Sequence, residues 1–303
     1  MIWSAVLVAA AAIIALAAWF WWRYLRIQPI EIADGVYAVL GAGGNSLVVC
    51  GDRQILVVDP KFGLGARALS SWVNRSLKGR VTTVINTHYH YDHTQGNELF
   101  LGAQVLAHPR ARQFMLSERN DFNDPTWWSN RVNALPSPVG TPEGETVNFQ
   151  ARRVVVTDPG VAHTNGDLWV HLPEINLVAT GDLCFNGYYP FFNGSPAGCS
   201  IPGMIHALRE LADRHPDATF VPGHGPLAGA ADLIGYADYL ERLKSAVEAA
   251  LAANLRENEA VRQTNIAQPG YAWLPSLLGT RLLIATARNN VRWAYRILAA
   301  TSS

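Results

Sequence analysis

Seven positions, THYHYDH at residues 87–93, hold three histidines and an aspartate directly after the apolar run VTTVI. Imidazole nitrogens and carboxylate oxygens are the donors that zinc and similar divalent ions take, at about 2.0–2.2 Å. In an extended segment alternate side chains share a face, so His88 and His90 can converge on one ion. Asp92 and His93 are neighbours that would point apart on a continuing strand, so a turn after Tyr91 is needed to aim both at a second ion. The stretch predicts two half-sites, and each needs donors from elsewhere.

Three later positions can supply them. His163 lies in DPGVAHTNGD between two apolar runs, Asp182 closes INLVATGD, and His224 stands in VPGHGP, whose glycines let the backbone approach closely. Asp59, ending ILVVD, is open to two readings: a carboxylate that orients a ligand imidazole, or a turn residue at a strand end. His108, His171, His206 and His215 have no partner at useful spacing and are left out of the site. Cys50, Cys184 and Cys199 are odd in number and form no C-x-x-C, so free buried thiols are expected rather than a disulfide frame or a thiolate metal site. GAGGNS at 41–46 lacks the last glycine of a dinucleotide loop and leads into a strand rather than a helix, and no G-x-S-x-G occurs.

Donors so scattered must be gathered by strand ends. GVYAVL, NSLVVC and ILVVD read as antiparallel strands with a tight turn at Gly51–Asp52. LGARALSSWVNRSLKG carries Ala66, Leu69, Trp72, Val73 and Leu77 at helical spacing and ends at Gly79. VTTVINT is a buried strand running into the histidines, followed by QVLAH and a helix near 110–117. A second half follows, with strands TVNFQ, RRVVVTD, DLWVHL and INLVATGD, a helix at 201–214, the strand ATFVPG and helices over most of 229–300. Between the halves, residues 118–143 are rich in Pro, Asn and Asp and carry Trp127 and Trp128, as either a lid or core packing. FNGYYPFFNG, 185–194, either walls the site with Tyr188, Tyr189, Phe191 and Phe192 or packs in the core.

Met1–Trp22 has no charged side chain and would span about 30 Å as a helix, the thickness of a bilayer core. Trp19, Trp21, Trp22 and Tyr24, then Arg23 and Arg26, suit a membrane interface, so a single transmembrane helix is expected at 1–22 and a linker at 23–31. A cleaved secretory signal is the rival, and the missing basic start argues against it. Arginines only after the helix place the rest of the chain on the cytoplasmic side, with a periplasmic or secreted location as the alternative. Lys plus Arg and Asp plus Glu balance at 24 each without basic runs, so nucleic acid is not an expected partner.

His88, His90, Asp92 and His93 form H-x-H-x-D-H, and with His163, Asp182 and His224 following in order the chain resembles the metallo-β-lactamase superfamily over roughly residues 32–226. The resemblance implies an α/β fold, a four-layer αββα sandwich, filling residues 32–303 with C-terminal helices at 229–300. It implies two divalent ions, zinc before others, with His88, His90 and His163 on the first, Asp92, His93 and His224 on the second, and Asp182 between them. Two such ions lower the pKa of a shared water toward about 7, which gives a hydroxide nucleophile at neutral pH. Asp92 is then the residue to orient it and pass on its proton, and Asn165 a further donor. Family members that open β-lactams have a cysteine at the position of Asp182 or lack a carboxylate bridge there. A bridging aspartate looks more like the thioesterases, glyoxalase II among them, and the lactonases and phosphodiesterases. A dinuclear zinc hydrolase acting on a small-molecule ester, thioester or lactone is expected. The alternatives are a phosphodiesterase, a β-lactamase or a mononuclear-iron persulfide dioxygenase.

Overall fold

Alternation along the strands decides the architecture. In the computed structural model, which describes residues 10–11, 15, 26–116, 136–150, 152–192, 198–278 and 281–301, the first sheet begins with β1 (Gln28–Ala33), β2 (Val36–Leu40), β3 (Ser46–Cys50) and β4 (Gln54–Val58), all antiparallel. Helix α1 (Gly63–Ser76) carries the chain back, so β5 (Arg80–Asn86) lies parallel to β4. The short α2 (Tyr91–Thr94) follows, then β6 (Gln104–Ala107), α3 (Pro109–Leu116) and β7 (Ser137–Pro138), in the spatial order β1-β2-β3-β4-β5-β6-β7.

The second sheet has the order β12-β11-β10-β9-β8, built from β8 (Glu145–Phe149), β9 (Arg152–Thr157), β10 (Trp169–Leu172), β11 (Leu177–Phe185) and β12 (Thr219–His224). Helix α4 (Ile201–Arg214) crosses over to make β11 and β12 parallel. Then come α5 (Ala230–Ala252), α6 (Glu257–Gln263), the hairpin of β13 (Leu274–Leu278) and β14 (Arg281–Ala285), and α7 (Ala287–Thr301).

Four layers result because each sheet is apolar on both faces. Val36, Ala38, Leu47, Val49, Leu56 and Val58 meet Val154, Val156, Val170 and Leu177 between the sheets. Their sequence neighbours Val39, Val48, Ile55 and Val57 point the other way, onto Leu69 and Val73 of α1. Trp169, Val178 and Phe220 turn outward from the second sheet onto α4, α5 and α7. The mixed α/β sandwich matches the expectation from the sequence.

Some details differ from that expectation. Strand β1 starts inside the stretch read as a linker, paired with β2 from Gln28 onward. The C-terminal segment is not wholly helical: LPSLL and RLLIA, two short apolar runs, pair as β13 and β14. Nearly all of 1–22, and Trp127 and Trp128 with most of the loop at 118–143, lie outside the described residues. Among the described residues no helix is long and apolar enough to cross a membrane.

Two buried polar residues tie the layers together where the donors will sit. Asn45 donates from Nδ2 to the carbonyls of Pro222 (2.9 Å) and Gly225 (2.8 Å), and its backbone N–H donates to Gly223 at 2.7 Å, joining the two sheets. Lys61, fully buried, donates its three ammonium protons to the carbonyls of Val39, Gly41 and Gly44 at 2.7–2.9 Å. An ammonium surrounded in this way is irreplaceable by an apolar group, because three buried carbonyls would lose their donor together. Lys61→Met is expected to lower unfolding stability by about 3 kcal/mol or more, read as a fall in the urea midpoint at unchanged slope. A variant as stable as the parent would show that the 41–44 loop is held by other means.

Candidate metal centre

Strand β5 ends at Asn86, and His88 and His90 stand in the bend after it rather than on the strand itself. The backbone bend, not the pleat, brings them together: His88 Nε2 and His90 Nδ1 are 3.0 Å apart. The predicted turn is α2, which begins at Tyr91 with His90 as its N-cap and swings Asp92 and His93 to the other side. His163 comes in from the loop between β9 and β10, with Nε2 at 3.0 Å from His90 Nδ1. Asp182 does not close β11; the strand runs on to Phe185, and a break in register between Gly181 and Phe185 turns the carboxylate toward the histidines. His224 ends β12, with its ring stacked on Phe185 at 5.1 Å.

All seven predicted residues meet, in two groups: His88, His90, His163 and Asp182; and Asp92, His93 and His224. Asp182 faces both. Its Oδ2 is 3.7 Å from His88 Nε2 and 3.4 Å from His163 Nε2, while Oδ1 is 3.1 Å from His93 Nε2 and 3.5 Å from His224 Nε2. Asp92 Oδ2 completes the second group at 3.3 Å from His224 Nε2 and 3.8 Å from His93 Nε2. Donors about 2.0–2.2 Å from a tetrahedral ion are separated by edges of about 3.3–3.6 Å, close to these separations. His93 Nε2 and Asp182 Oδ1 are buried without an aligned hydrogen bond, which a cation between them would satisfy. The donor set fits divalent metal.

Charge divides the groups. Burial, reinforced by neighbouring imidazoles, pulls His88 well below the ordinary range and His163 down to about 3, so both are neutral and ready to donate a lone pair. Burial opposes charge on His93 and His224 too, but there the carboxylates prevail: Asp182, Asp59 and Asp92 hold His93 well above its usual value, and Asp182 and Asp92 raise His224 to about 9. Burial likewise opposes charge on Asp182, yet His93 and His224 keep its pKa well below the carboxylate norm. Buried carboxylates of this kind demand positive charge beside them.

Residues 40–224 match the metallo-beta-lactamase superfamily. The chain belongs to that superfamily. It is 24% identical over 209 residues to a type 2 metallo-beta-lactamase from Bacillus cereus, covering 68% of this chain and 77% of that one. It is 30% identical over 168 residues to a hydroxyacylglutathione hydrolase from Cyanothece, covering 53% of this chain and 56% of that one. A metallo-beta-lactamase from Pontibacter korlensis has the same fold, with a TM-score of 0.57 at 20% identity over 71% of this chain and 99% of that one. This superfamily member is a metal-dependent hydrolase with a His/Asp metal-binding cluster.

Around the superfamily cluster, the structure resolves the two readings of Asp59 in favour of orientation. His93 Nδ1 donates to Asp59 Oδ2 at 2.8 Å, and Thr87 donates to the same carboxylate from its N–H (2.8 Å) and its hydroxyl (2.7 Å). Since that hydroxyl is spent on Asp59, it accepts from His88 Nδ1 at 3.0 Å, so one carboxylate presents the Nε2 of a histidine in each group. Sequence reasoning passed over two supports, the GAGGNS stretch and Lys61, while the close approach at Gly223 is the one expected of VPGHGP. The GAGGNS stretch lies against the cluster, where a Cβ on Gly44 would stand 2.3 Å from the His93 ring. A Cβ on Gly223 would stand 2.0 Å from Asp182 Oδ1. Lys61 gave no signal at all.

The aromatic stretch after Asp182 is core: Tyr188, Tyr189 and Phe192 are buried, Phe191 packs beside them, and Phe185 is the ring that touches His224 and His163. The four omitted histidines do have neighbours, namely Asp158 for His108, Glu210 for His206, and each other's rings for His171 and His215. None of the four joins the two groups. The three cysteines are free.

Asp59→Asn should weaken metal binding by about 10–100-fold, measured by competition with a chromogenic chelator; unchanged affinity would reduce Asp59 to a turn residue. In chelator-stripped protein His224 carries a proton below about pH 9, and the carboxylates of Asp182, Asp59 and Asp92 favour the protonated form of His93 as well. A metal must displace the His224 proton, so affinity at the Asp92, His93 and His224 group should rise by at least about tenfold per pH unit as pH approaches about 9, and displacement of the His93 proton adds to that slope. Titrations between about pH 6.5 and 9.5 read this slope, and a flat profile would contradict it.

Proposed function

We propose that the chain is a dinuclear zinc hydrolase that cleaves an ester, thioester or lactone. The observation that carries this reading is the placement of Asp182, whose two oxygens face different groups of donors, Oδ2 toward His88 and His163, Oδ1 toward His93 and His224. Divalent cations held there would supply Lewis acidity and a water of lowered pKa at neutral pH.

The protein's own groups do the rest. Asp182 is 4% exposed and Asp92 17%, so Asp92 is the carboxylate that reaches toward solvent and substrate. It orients the attacking water and receives its proton. His88 and His163, kept neutral by burial, serve as fixed ligands rather than proton carriers. Asn165, two residues beyond His163, is positioned in sequence to donate to a developing oxyanion. Relatives named metallo-beta-lactamase and hydroxyacylglutathione hydrolase both match this chain. The carboxylate bridge favours the second kind of chemistry.

The reading includes a membrane anchor formed by Met1–Trp22, supported by the absence of any charged side chain there and the aromatic and arginine residues that follow. The arginine bias supports a cytoplasmic catalytic domain.

Metal analysis of full-length protein, together with a screen of thioesters, lactones, esters, phosphodiesters and a chromogenic β-lactam, tests the proposal. Two zinc per chain and turnover of an acyl substrate are expected, with His88→Ala lowering kcat/KM by about a thousandfold or more. One iron per chain with oxygen consumption, or turnover that survives His88→Ala, would overturn it.

A further inference from the structure

We propose that the mouth of the metal centre opens onto a lipid bilayer and takes an acyl substrate whose chain is held in that bilayer. This rests on the hydrolase and anchor readings above and goes beyond both, because it fixes which edge of the sandwich meets the membrane. Strand register supplies the first argument. The pairs Gln28↔Leu40, Val39↔Ser46, Leu47↔Val58 and Val58↔Ile85 carry one edge of the first sheet from the start of β1 to the end of β5. The chain therefore enters the fold at the edge where the histidines gather, about 19 Å along it at four strand spacings. Contact is closer through the intervening loop. A Cβ on Gly41 would stand 2.6 Å from the carbonyl of Arg26, and one on Gly44 would stand 2.3 Å from the His93 ring.

The tether is short. Three residues lie between Trp22 and Arg26, and the four steps from one to the other reach at most about 14 Å in fully extended chain. An uncharged segment of bilayer length that ends so near the fold cannot leave the donor edge facing away into distant solvent.

Surface chemistry of the two edges agrees. Leu64 at the start of α1 is 71% exposed, Val161 in the His163 loop 42%, and Trp273 beside the loop that leaves Phe185 64%. The first two lie on segments leaving the donor edge, and Trp273 is brought beside a third by the pairing of Ala272 with Tyr188. Exposed charge occurs at both edges, Asp52, Arg53, Lys78, Arg80 and Asp217 at the far one and Arg110, Arg112, Glu143 and Glu145 at the donor one, so the difference lies in the apolar side chains, of which the far edge exposes Leu101. Exposed Leu and Trp next to the proposed anchor suit the membrane interface, and arginines beside them suit its phosphate level.

The test uses the full chain, with Cys50→Ser to remove the partly exposed thiol, reconstituted in phosphatidylcholine vesicles containing a headgroup nitroxide lipid. Leu64→Cys, Val161→Cys and Lys78→Cys each receive an environment-sensitive fluorophore. Quenching at positions 64 and 161 several-fold above that at 78 is expected, and equal or reversed quenching overturns the orientation. Two reporting positions on the donor edge guard against one misfolded variant. Release of the protein by alkaline carbonate would defeat the anchor reading and this inference with it. Loss of metal binding in the same sample would instead strike the hydrolase reading while leaving the quenching result intact. In the kinetic arm, a long-chain thioester carried in the vesicles should show a several-fold higher kcat/KM than its short-chain soluble analogue, and parity overturns the assigned substrate.

Discussion

A buried carboxylate at the meeting point of two imidazole clusters is the constraint on which the rest depends. Asp182 is on a central strand of the second sheet, while four of the six other donors come from the loop and short helix after β5 of the first. Burying a carboxylate and a ring of histidines costs several kcal/mol unless each polar atom has a partner. The fold meets that cost by construction. Asp59 and Thr87 fix two imidazoles from behind, Asn45 joins the sheets across the 222–225 turn, and glycines at 44 and 223 let backbones come within contact of His93 and Asp182.

Away from the cluster the interior is mainly apolar. Between the sheets and beneath both helical layers the buried contacts are chiefly valine, leucine, isoleucine, alanine and aromatic rings, with Asn290, bonded to Tyr239 and to the carbonyl of Pro190, a polar exception. A rigid, close-packed interior holds strand ends to within a few tenths of an ångström, which scattered ligands need if two ions are to share one carboxylate. Phe185 shows how far this extends: it is a core residue of the second sheet's outer face, and the same ring sets the plane of His224.

The convergence of these seven residues is legible in the sequence because metal chemistry restricts the residue types and because apolar runs mark strand ends. His88, His90, Asp92 and His93 announce themselves by spacing alone, and the single donors follow strand by strand. The local conformations were less legible. Spacing predicts an extended segment through His88 and His90 at the strand's exit, yet the backbone bends there, since the pleat rule describes only residues still in the ladder. The hairpin β13–β14 was missed because LPSLL and RLLIA are as compatible with helix as with strand when taken by periodicity. Lys61 and Asn45 were invisible for a different reason: their role is to satisfy carbonyls made close by tertiary folding, and no local pattern encodes a long-range backbone acceptor. The glycines of GAGGNS were noticed and set aside as a failed nucleotide loop, although a run of glycines beside a buried asparagine equally signals close approach to a packed ring.

Substrate choice in this architecture must lie in the loops of one edge, since both outer faces carry helices and the space between the sheets is filled. The segments at 41–45, 59–64, 158–163 and 186–192 leave that edge, and the donors stand behind them. Their residues fall into two kinds. Asn45, Lys61 and Phe62 are bound into the core or its margin, with the Phe62 ring set edge-on against Tyr91 at 5.1 Å. Leu64 and Val161 instead project into solvent. A substitution in the first kind would disturb His93 and the cluster through the loop that Lys61 holds, whereas one in the second would alter what the site meets without moving a ligand. Residues that hold the cluster in place and residues that meet solvent are thus interleaved along the same loops, so the surface around the donors can change while the donors stay where they are.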